Sequence, residues 1–430
     1  MENTPFIKTI APGVRLCAVQ TDRFKTGCIS FSMALPMDGN LAAKAILPYI
    51  LHRSCKKYPD FSFLNGRLAE LYGAALSAGV SKLGEAQLLS INLTSIDDRF
   101  ALTGESIAQS STELLLELIF DPDLVDGCFG EAAVQREKRL LIEKMESELN
   151  DKKAYALRRC EAIMCKGERY GLSKYGTKEE IEALTGETIF DAWQNMLKTA
   201  IIQIDIVGSG ANESVADALI ARFAKIERIP AEIQTLFVTM AAGTRREEEK
   251  LPVKQGKLVL GFRAGMEDAL DEVTAAKVMT DIFGGGTYSK LFKNVREKMS
   301  LCYYCSARLN HLKGVIFVQS GIESDKAQLA TDEILRQFES VKAGEIEDDD
   351  LKSSILSLCD HLRGIEDSPE DLAMWYTSQI IKPDITTPEQ ETEKIKLVTM
   401  EQVIAAANRV TLDTIYMLSG TAEEAETDEN

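Results

Sequence analysis

The sequence predicts an α+β protein of two homologous domains, each a mostly antiparallel sheet covered by helices. Three observations carry this expectation. The chain has 430 residues, against roughly 100–200 for one domain. Its strand-like runs are interrupted by pairs of helices, the pattern of antiparallel sheets with helices on one face. The chain also repeats itself. "LTGETIFDAWQNMLKTAIIQIDIVGSG" near Thr185 and "VTMEQVIAAANRVTLDTIYMLSG" near Thr399 each read as a Thr cap, an amphipathic helix and an apolar strand. Thr399 to Gln402 spells a capping box, in which Gln402 reaches back to the cap N–H.

The remaining elements follow the same order in both halves. The first half opens with the strand "GCISFSMALP", then a helix from Leu41, a helix over Phe61–Tyr72, and the strands "ALSAGVSKL" and "AQLLSINLTS". The second opens with "KLVLGFRAG", then helices over Asp271–Phe283 and Tyr288–Lys298, and the strands "LCYYCSARL" and "GVIFVQSGI". Long helical patterns come next: Glu131–Glu148 and Tyr155–Cys165 in one half, Ala327–Val341 and Ile346–Leu362 in the other. The expected domains are residues 1–228 and 257–420. Between them lies a linker, 229–256, whose charged core Arg245–Lys250 reads as solvated and whose Pro252 discourages a continuous helix. Residues 421–430, "TAEEAETDEN", read as a disordered acidic tail.

A net charge of −18 repels phosphate backbones and anionic lipid surfaces, which argues against nucleic-acid and membrane partners. No apolar run approaches the roughly 20 residues of a membrane span. The first residues show no basic segment leading into an apolar one, so no signal peptide is expected. Nine cysteines, an odd number without a framework, suit free thiols in a reducing cytoplasm. Cys302-Tyr303-Tyr304-Cys305 is a CxxC in a strand-like run. Residues i and i+3 of a strand point to opposite faces, so these sulfurs are poorly placed to share a metal.

The segment "DIFGGGTYSKLFKNVREKMSLCYY", Asp281–Tyr304, has a Gly-rich turn, a helix ending in Arg-Glu-Lys and a strand start ending in Tyr. It resembles the second domain of the inverted zinc peptidases of the pitrilysin, insulinase and mitochondrial-processing-peptidase type. With the two-half element order, the likeness extends over nearly the whole chain. "LAELYGAALSAGV" and "VKQGKLVLGFRAG" bring it nearest to short bacterial, YmfF-like members of that family, which resemble non-catalytic partners. The resemblance implies a clamshell of two domains around a peptide chamber.

Active members of that family carry H-x-x-E-H on a first-domain helix. Two His four apart share one helical face and one Zn²⁺, the Glu activates the bound water, and a distant carboxylate completes the ligands. Here the matching residues are Pro48-Tyr49-Ile50-Leu51-His52. Pro48 has no donor atom, Leu51 takes no proton, and only His52 remains. The distal ligand falls in "REKRLLIEKMESE". Aligning Glu137 with the family's upstream Glu puts Lys144 at that position, and a one-residue shift puts Glu143 there. Either way the set is too small for tight zinc, so no metal and no cofactor is expected in this chain. His52 reads instead as a capping or surface residue at the helix end.

The resemblance further implies that Arg296 and Tyr303 match the Arg and Tyr that second domains direct toward substrate. A Tyr hydroxyl can donate to a developing oxyanion, and an Arg can hold a carbonyl or orient the Tyr. The bland alternative pairs Arg296 with Glu297 or Glu272 and packs Tyr303 in a sheet. Ser300 stands where the family usually has Gly. Gly284-Gly285-Gly286 reads either as a mobile substrate-binding loop or as a helix C-terminal turn in which Gly tolerates positive φ.

The expected function is a non-catalytic, pseudo-peptidase subunit of a cytoplasmic heterodimeric zinc metalloendopeptidase. An HxxEH-bearing partner of the same family would hold the zinc. This chain would supply Arg296, Tyr303 and chamber walls for peptide substrates. The alternative is a homodimeric peptide-binding or scaffold protein with no proteolytic role. A zinc-dependent peptidase acting alone is a third possibility that requires stoichiometric metal.

Overall fold

A computed structural model describes residues 4–211, 213–266 and 270–420; the expected disordered tail, 421–430, lies outside the described residues. The chain divides into two compact units. One comprises Met1–Met145, Ser173–Gln234 and Gly364–Pro388; the other comprises Glu146–Leu172, Thr235–Arg363 and Glu389–Asn430.

The first unit holds six strands: β1 Phe6–Ala11, β2 Val14–Gln20, β3 Thr26–Pro36, β4 Ala75–Leu83, β5 Ala86–Ile96 and β6 Ile201–Gly208. They lie in the order β1-β2-β6-β3-β5-β4, and every pair is antiparallel except β2 with β6. Period-2 alternation sorts the side chains. Leu16, Phe31, Met33, Leu89, Ile91 and Ile204 enter the main core, against the helices Leu41–Leu51, Ile107–Phe120, Gly186–Thr199 and Glu213–Phe223. The alternate residues of β2, β3 and β6 include Cys17, Ser32 and Asp205, and these too are buried. The helix Pro369–Thr377, far along the chain, covers that second face and packs Leu372, Ala373 and Tyr376 on Cys17, Val19, Cys28 and Val207.

The second unit repeats the plan. Its strands are β7 Arg245–Leu251, β8 Gly256–Arg263, β9 Cys302–Asn310, β10 Val315–Ile322 and β11 Thr411–Gly420, in the order β7-β11-β8-β10-β9. Again one pair, β7 with β11, is parallel and the rest are antiparallel. Strand for strand this matches β2-β6-β3-β5-β4 of the first unit, so the α+β repeat read from the sequence is a repeat of topology. Phe262 and Phe283 meet Phe338 at ring-centroid distances of 5.4 and 4.9 Å in the core on one face. The other face is covered by the helix Lys152–Met164, whose Ala156, Cys160 and Met164 pack on Val259, Phe317 and Tyr416. Each sheet is therefore covered on its second face by a helix from the opposite half of the sequence. The capping boxes at Thr185 and Thr399 both form.

Two local expectations change. Arg245–Lys250, placed in the linker, belongs to the edge strand β7, whose charged and mostly exposed side chains are the kind that discourage pairing with another chain. The helix expected over Tyr288–Lys298 is a π-helix over Leu291–Lys298. The Asn294 side-chain amide donates to the Lys290 carbonyl at 3.1 Å and to Gln337 Oε1 at 2.9 Å. It thereby takes the acceptor that the Asn294 backbone N–H would use in an α-helix, and the turn widens.

Candidate functional site

The helix Leu41–Leu51 starts at Asn40, whose side chain accepts from the Ala43 N–H at 2.9 Å. Pro48 lies inside it, removing the N–H that would meet the Lys44 carbonyl. Pro48 and Leu51 are both buried, and Leu51 is a member of the main core. His52 caps the helix. Its backbone N–H donates to the Pro48 carbonyl at 3.2 Å. Its ring Nδ1 lies 2.7 Å from the Tyr49 oxygen and 3.1 Å from the Pro48 oxygen, so Nδ1 carries the hydrogen and donates to the chain end. Burial, reinforced by the neighbouring charge of Arg53, holds the imidazolium below its ordinary range and favours the neutral ring.

The fold brings the distal-ligand segment to this helix with Lys144 in front. Lys144 Nζ donates to Tyr49 Oη at 3.0 Å and sits 4.7 Å from the ring centroid. Glu143 turns outward and pairs with Arg139 at 3.7 Å. Glu137 is buried between Arg136 at 2.8 Å and Arg53 at 3.5 Å. A prolyl ring, an isobutyl group and an ammonium offer no lone pair, and the Nε2 of His52 alone is too few for Zn²⁺, which needs three protein donors in a catalytic site. Among the described residues no group of three or more His, Cys, Asp or Glu is placed to hold a metal ion.

In the second unit, three expected site segments pack together. The glycine run closes the helix Leu270–Gly284 and the turn after it. None of the three glycines has a positive φ, so the left-handed turn expected there is absent. Space explains Gly284: a Cβ on it would fall 2.6 Å from the Ala307 nitrogen of β9 and 2.9 Å from Leu291. The left-handed residue is Ser300 instead, with φ of 50°. It joins the π-helix to β9, and the next amide, Leu301, donates to the Val295 carbonyl at 3.1 Å. Serine therefore keeps the turn that a glycine would enter without strain.

Arg296, on the π-helix, lies with its guanidinium carbon 4.6 Å from the Phe292 ring centroid and its Nε 3.9 Å from Glu297. Glu272 pairs with Arg409, not with Arg296. Tyr303 is 64% exposed, so it stands out from the sheet and does not pack in it. Pairing of β9 with β10 skips it: Tyr304 faces Gly321 and Cys302 faces Ile322. Such a β-bulge re-aims a side chain, and no residue pattern in β9 announces it. Arg296 also acts electrostatically on Cys302, the residue before Tyr303.

The profile described as "Peptidase M16 inactive domain" matches residues 183–358, a span that contains Arg296 and Tyr303. The Bacillus subtilis (strain 168) protein described as "Probable inactive metalloprotease YmfF" is 29% identical over 416 residues, which cover 96% of this chain and 98% of that protein. The chain is therefore similar to the M16 peptidases, through this span and, by way of YmfF, over nearly its whole length. Among solved structures, this chain is similar to a conserved protein from Enterococcus faecalis V583, with a TM-score of 0.85 and 25% identity over 97% of this chain and 99% of that one. A peptidase M16 inactive domain from Pseudomonas fluorescens shares the fold at 16% identity, with a TM-score of 0.78 over 97% and 98%. The family expected from Asp281–Tyr304 is borne out. With ligand and base positions filled by Pro48 and Leu51, the chain resembles the inactive M16 proteins that it matches.

Proposed function

We propose that this chain is the non-catalytic subunit of a heterodimeric zinc metalloendopeptidase. An M16 partner with an intact HxxEH would hold the zinc, and this chain would contribute Arg296, Tyr303, the Gly284–Gly286 turn and part of the wall around a peptide substrate. One contrast carries the reading. The zinc helix has lost its donors, whereas the second unit keeps an outward tyrosine on a bulge, with Arg296 on the π-helix that leads into that strand. A tyrosine held outward suits donation to an oxyanion formed at a partner's metal, and an arginine suits a substrate carbonyl. A cytoplasmic location is part of the proposal and accords with cysteines that are all free among the described residues. No described helix is long and apolar enough to cross a membrane.

The test is co-expression with an HxxEH-bearing M16 protein, co-purification, and cleavage of unfolded peptides. Arg296→Ala and Tyr303→Phe should each lower kcat of the pair by about ten- to a thousand-fold, the range for losing one oxyanion donor, without dissociating it. Unchanged rates in both variants would remove the assisting role. A homodimeric peptide-binding protein is the competing reading. It would sediment as a stable homodimer that ignores HxxEH homologues.

A further inference from the structure

Cys302 and Cys305 have no part in the role above, and the geometry gives them one. In a regular strand they would face apart. Here β10 pairs Cys305 with Ser320, Tyr304 with Gly321 and Cys302 with Ile322, leaving Tyr303 as the extra residue. The bulge returns Cys302 to the face of Cys305, which corrects the opposite-face expectation. Opposite Ile322 and Ser320, two residues apart on β10, the two side chains are same-face neighbours, and each thiol acts on the ionisation of the other. The Ser320 hydroxyl also donates to the Tyr304 carbonyl at 3.0 Å, tying the bulge to β10.

The pair is asymmetric. Cys305 is 6% exposed, whereas Cys302 is half-buried at the strand start. The influence of Cys305, aided by Ser320 and the charge of Arg296 and opposed by burial, pulls the Cys302 thiol down to about 7. The reciprocal influence, with burial, pushes Cys305 well up. Burial raises Cys17, Cys28, Cys55, Cys160, Cys165 and Cys359. One accessible, acidified thiol beside one shielded thiol is the arrangement of an attacking and a resolving cysteine.

We propose that Cys302 and Cys305 form a reversible dithiol–disulfide site, oxidised by a low-molecular-weight disulfide, and that its closure locks the bulge that presents Tyr303. The Cys302 thiolate attacks one sulfur of the small disulfide. That S–S bond breaks, and one small thiol leaves, taking up the proton Cys302 released. Cys305 then gives up its proton and attacks the Cys302 sulfur. The mixed disulfide breaks, and the second small thiol leaves with that proton. Two protein thiols are oxidised and one small disulfide is reduced to two thiols; excess small thiol reverses both steps. The site stands whether or not Tyr303 assists a partner.

The full chain, equilibrated in glutathione buffers of rising oxidised fraction, is quenched in acid, alkylated, digested and read by mass spectrometry. The peptide holding both cysteines should lose its two alkylatable thiols together, as an internal disulfide that excess reduced glutathione restores. Cys305→Ser should accumulate a glutathione adduct on Cys302, and Cys302→Ser should leave Cys305 alkylatable throughout. At pH 7 Cys302 should alkylate at least about ten-fold faster than the buried thiols in the native chain. Two thiols that stay alkylatable in fully oxidised glutathione overturn the proposal in the wild-type chain alone. Equal oxidation of Cys305 in Cys302→Ser also overturns it.

Discussion

At the scale of single residues, buried Asp205 is the most informative group outside the site. It is 0% exposed and receives hydrogen bonds from Gln203 Nε2 and Thr377 Oγ1, each at 2.6 Å. Burial pushes its carboxyl up to about 7, only partly opposed by those donors and by Arg15. A carboxyl raised in the folded state binds its proton more tightly there than in the unfolded chain. Its stabilising contribution is therefore full below the ordinary carboxylate range near 4 and is lost as pH rises through about 7. The melting temperature should fall between those pH values, and Asp205→Asn should flatten that fall; an unaltered profile would mean that another group sets it. Ser300 gives a second test. Its φ of 50° costs an L-residue about 1 kcal/mol, so Ser300→Gly should raise the unfolding free energy by up to that amount, read as a higher urea midpoint. A lowered midpoint would show that the serine side chain earns its place by a contact.

Among elements, the Gly284 helix end and β9 are set by close approach. Gly284→Ala must push Ala307 or Leu291 away from contacts of 2.6 and 2.9 Å, an overpacking that costs about 1–3 kcal/mol in equilibrium unfolding. A neutral result would mean that β9 moves freely against the helix. The helix Lys152–Met164 and the turn after it are tied to the second sheet by a buried ionic network. Arg263, 2% exposed, donates from Nε to Asp413 at 2.9 Å, from Nη2 to Glu168 at 2.7 Å and from Nη2 to the Met164 carbonyl at 2.7 Å. Lys313 Nζ meets Glu168 at 2.6 Å. Arg263→Met leaves Asp413 and Glu168 short of a cation, and a loss of about 3–5 kcal/mol is expected. Arg263→Lys keeps the charge without the fork and should fall between the two in urea denaturation.

For the whole molecule, the exchanged helices have a direct consequence. A fragment of residues 1–228 lacks the helix Pro369–Thr377 that covers Cys17, Val19, Cys28 and Val207. A fragment of residues 257–420 lacks the helix Lys152–Met164 that covers Val259, Phe317 and Tyr416. Each would expose an apolar sheet face, so neither should give a monomeric, cooperatively unfolding species by size exclusion and circular dichroism. A soluble two-state fragment of either kind would show that the covering helix is dispensable. The lost zinc donors give a test at the same scale. The purified chain, dialysed against zinc, should retain far less than one equivalent, because Pro48, Leu51 and Lys144 offer no ligand.

The sequence by itself determined the α+β class, the repeat, most helices and strands, the family and the disabled zinc helix. Those features are local: capping boxes at Thr185 and Thr399, period-2 strands, and Pro48 and Leu51, which lack the required atoms wherever the chain places them. Only the tertiary structure decided the rest. Whether Lys144 or Glu143 faces the old zinc position depends on the phase of one helix against another, and a phase cannot be read from an ungapped stretch of charged residues. The second-face helices come from the opposite sequence half because buried apolar surface is satisfied by whichever segment the fold delivers. The β-bulge at Tyr303 arises from pairing with β10, and a one-residue offset in pairing reverses every side chain beyond it. That offset turned Tyr303 outward and put Cys302 on the side of Cys305.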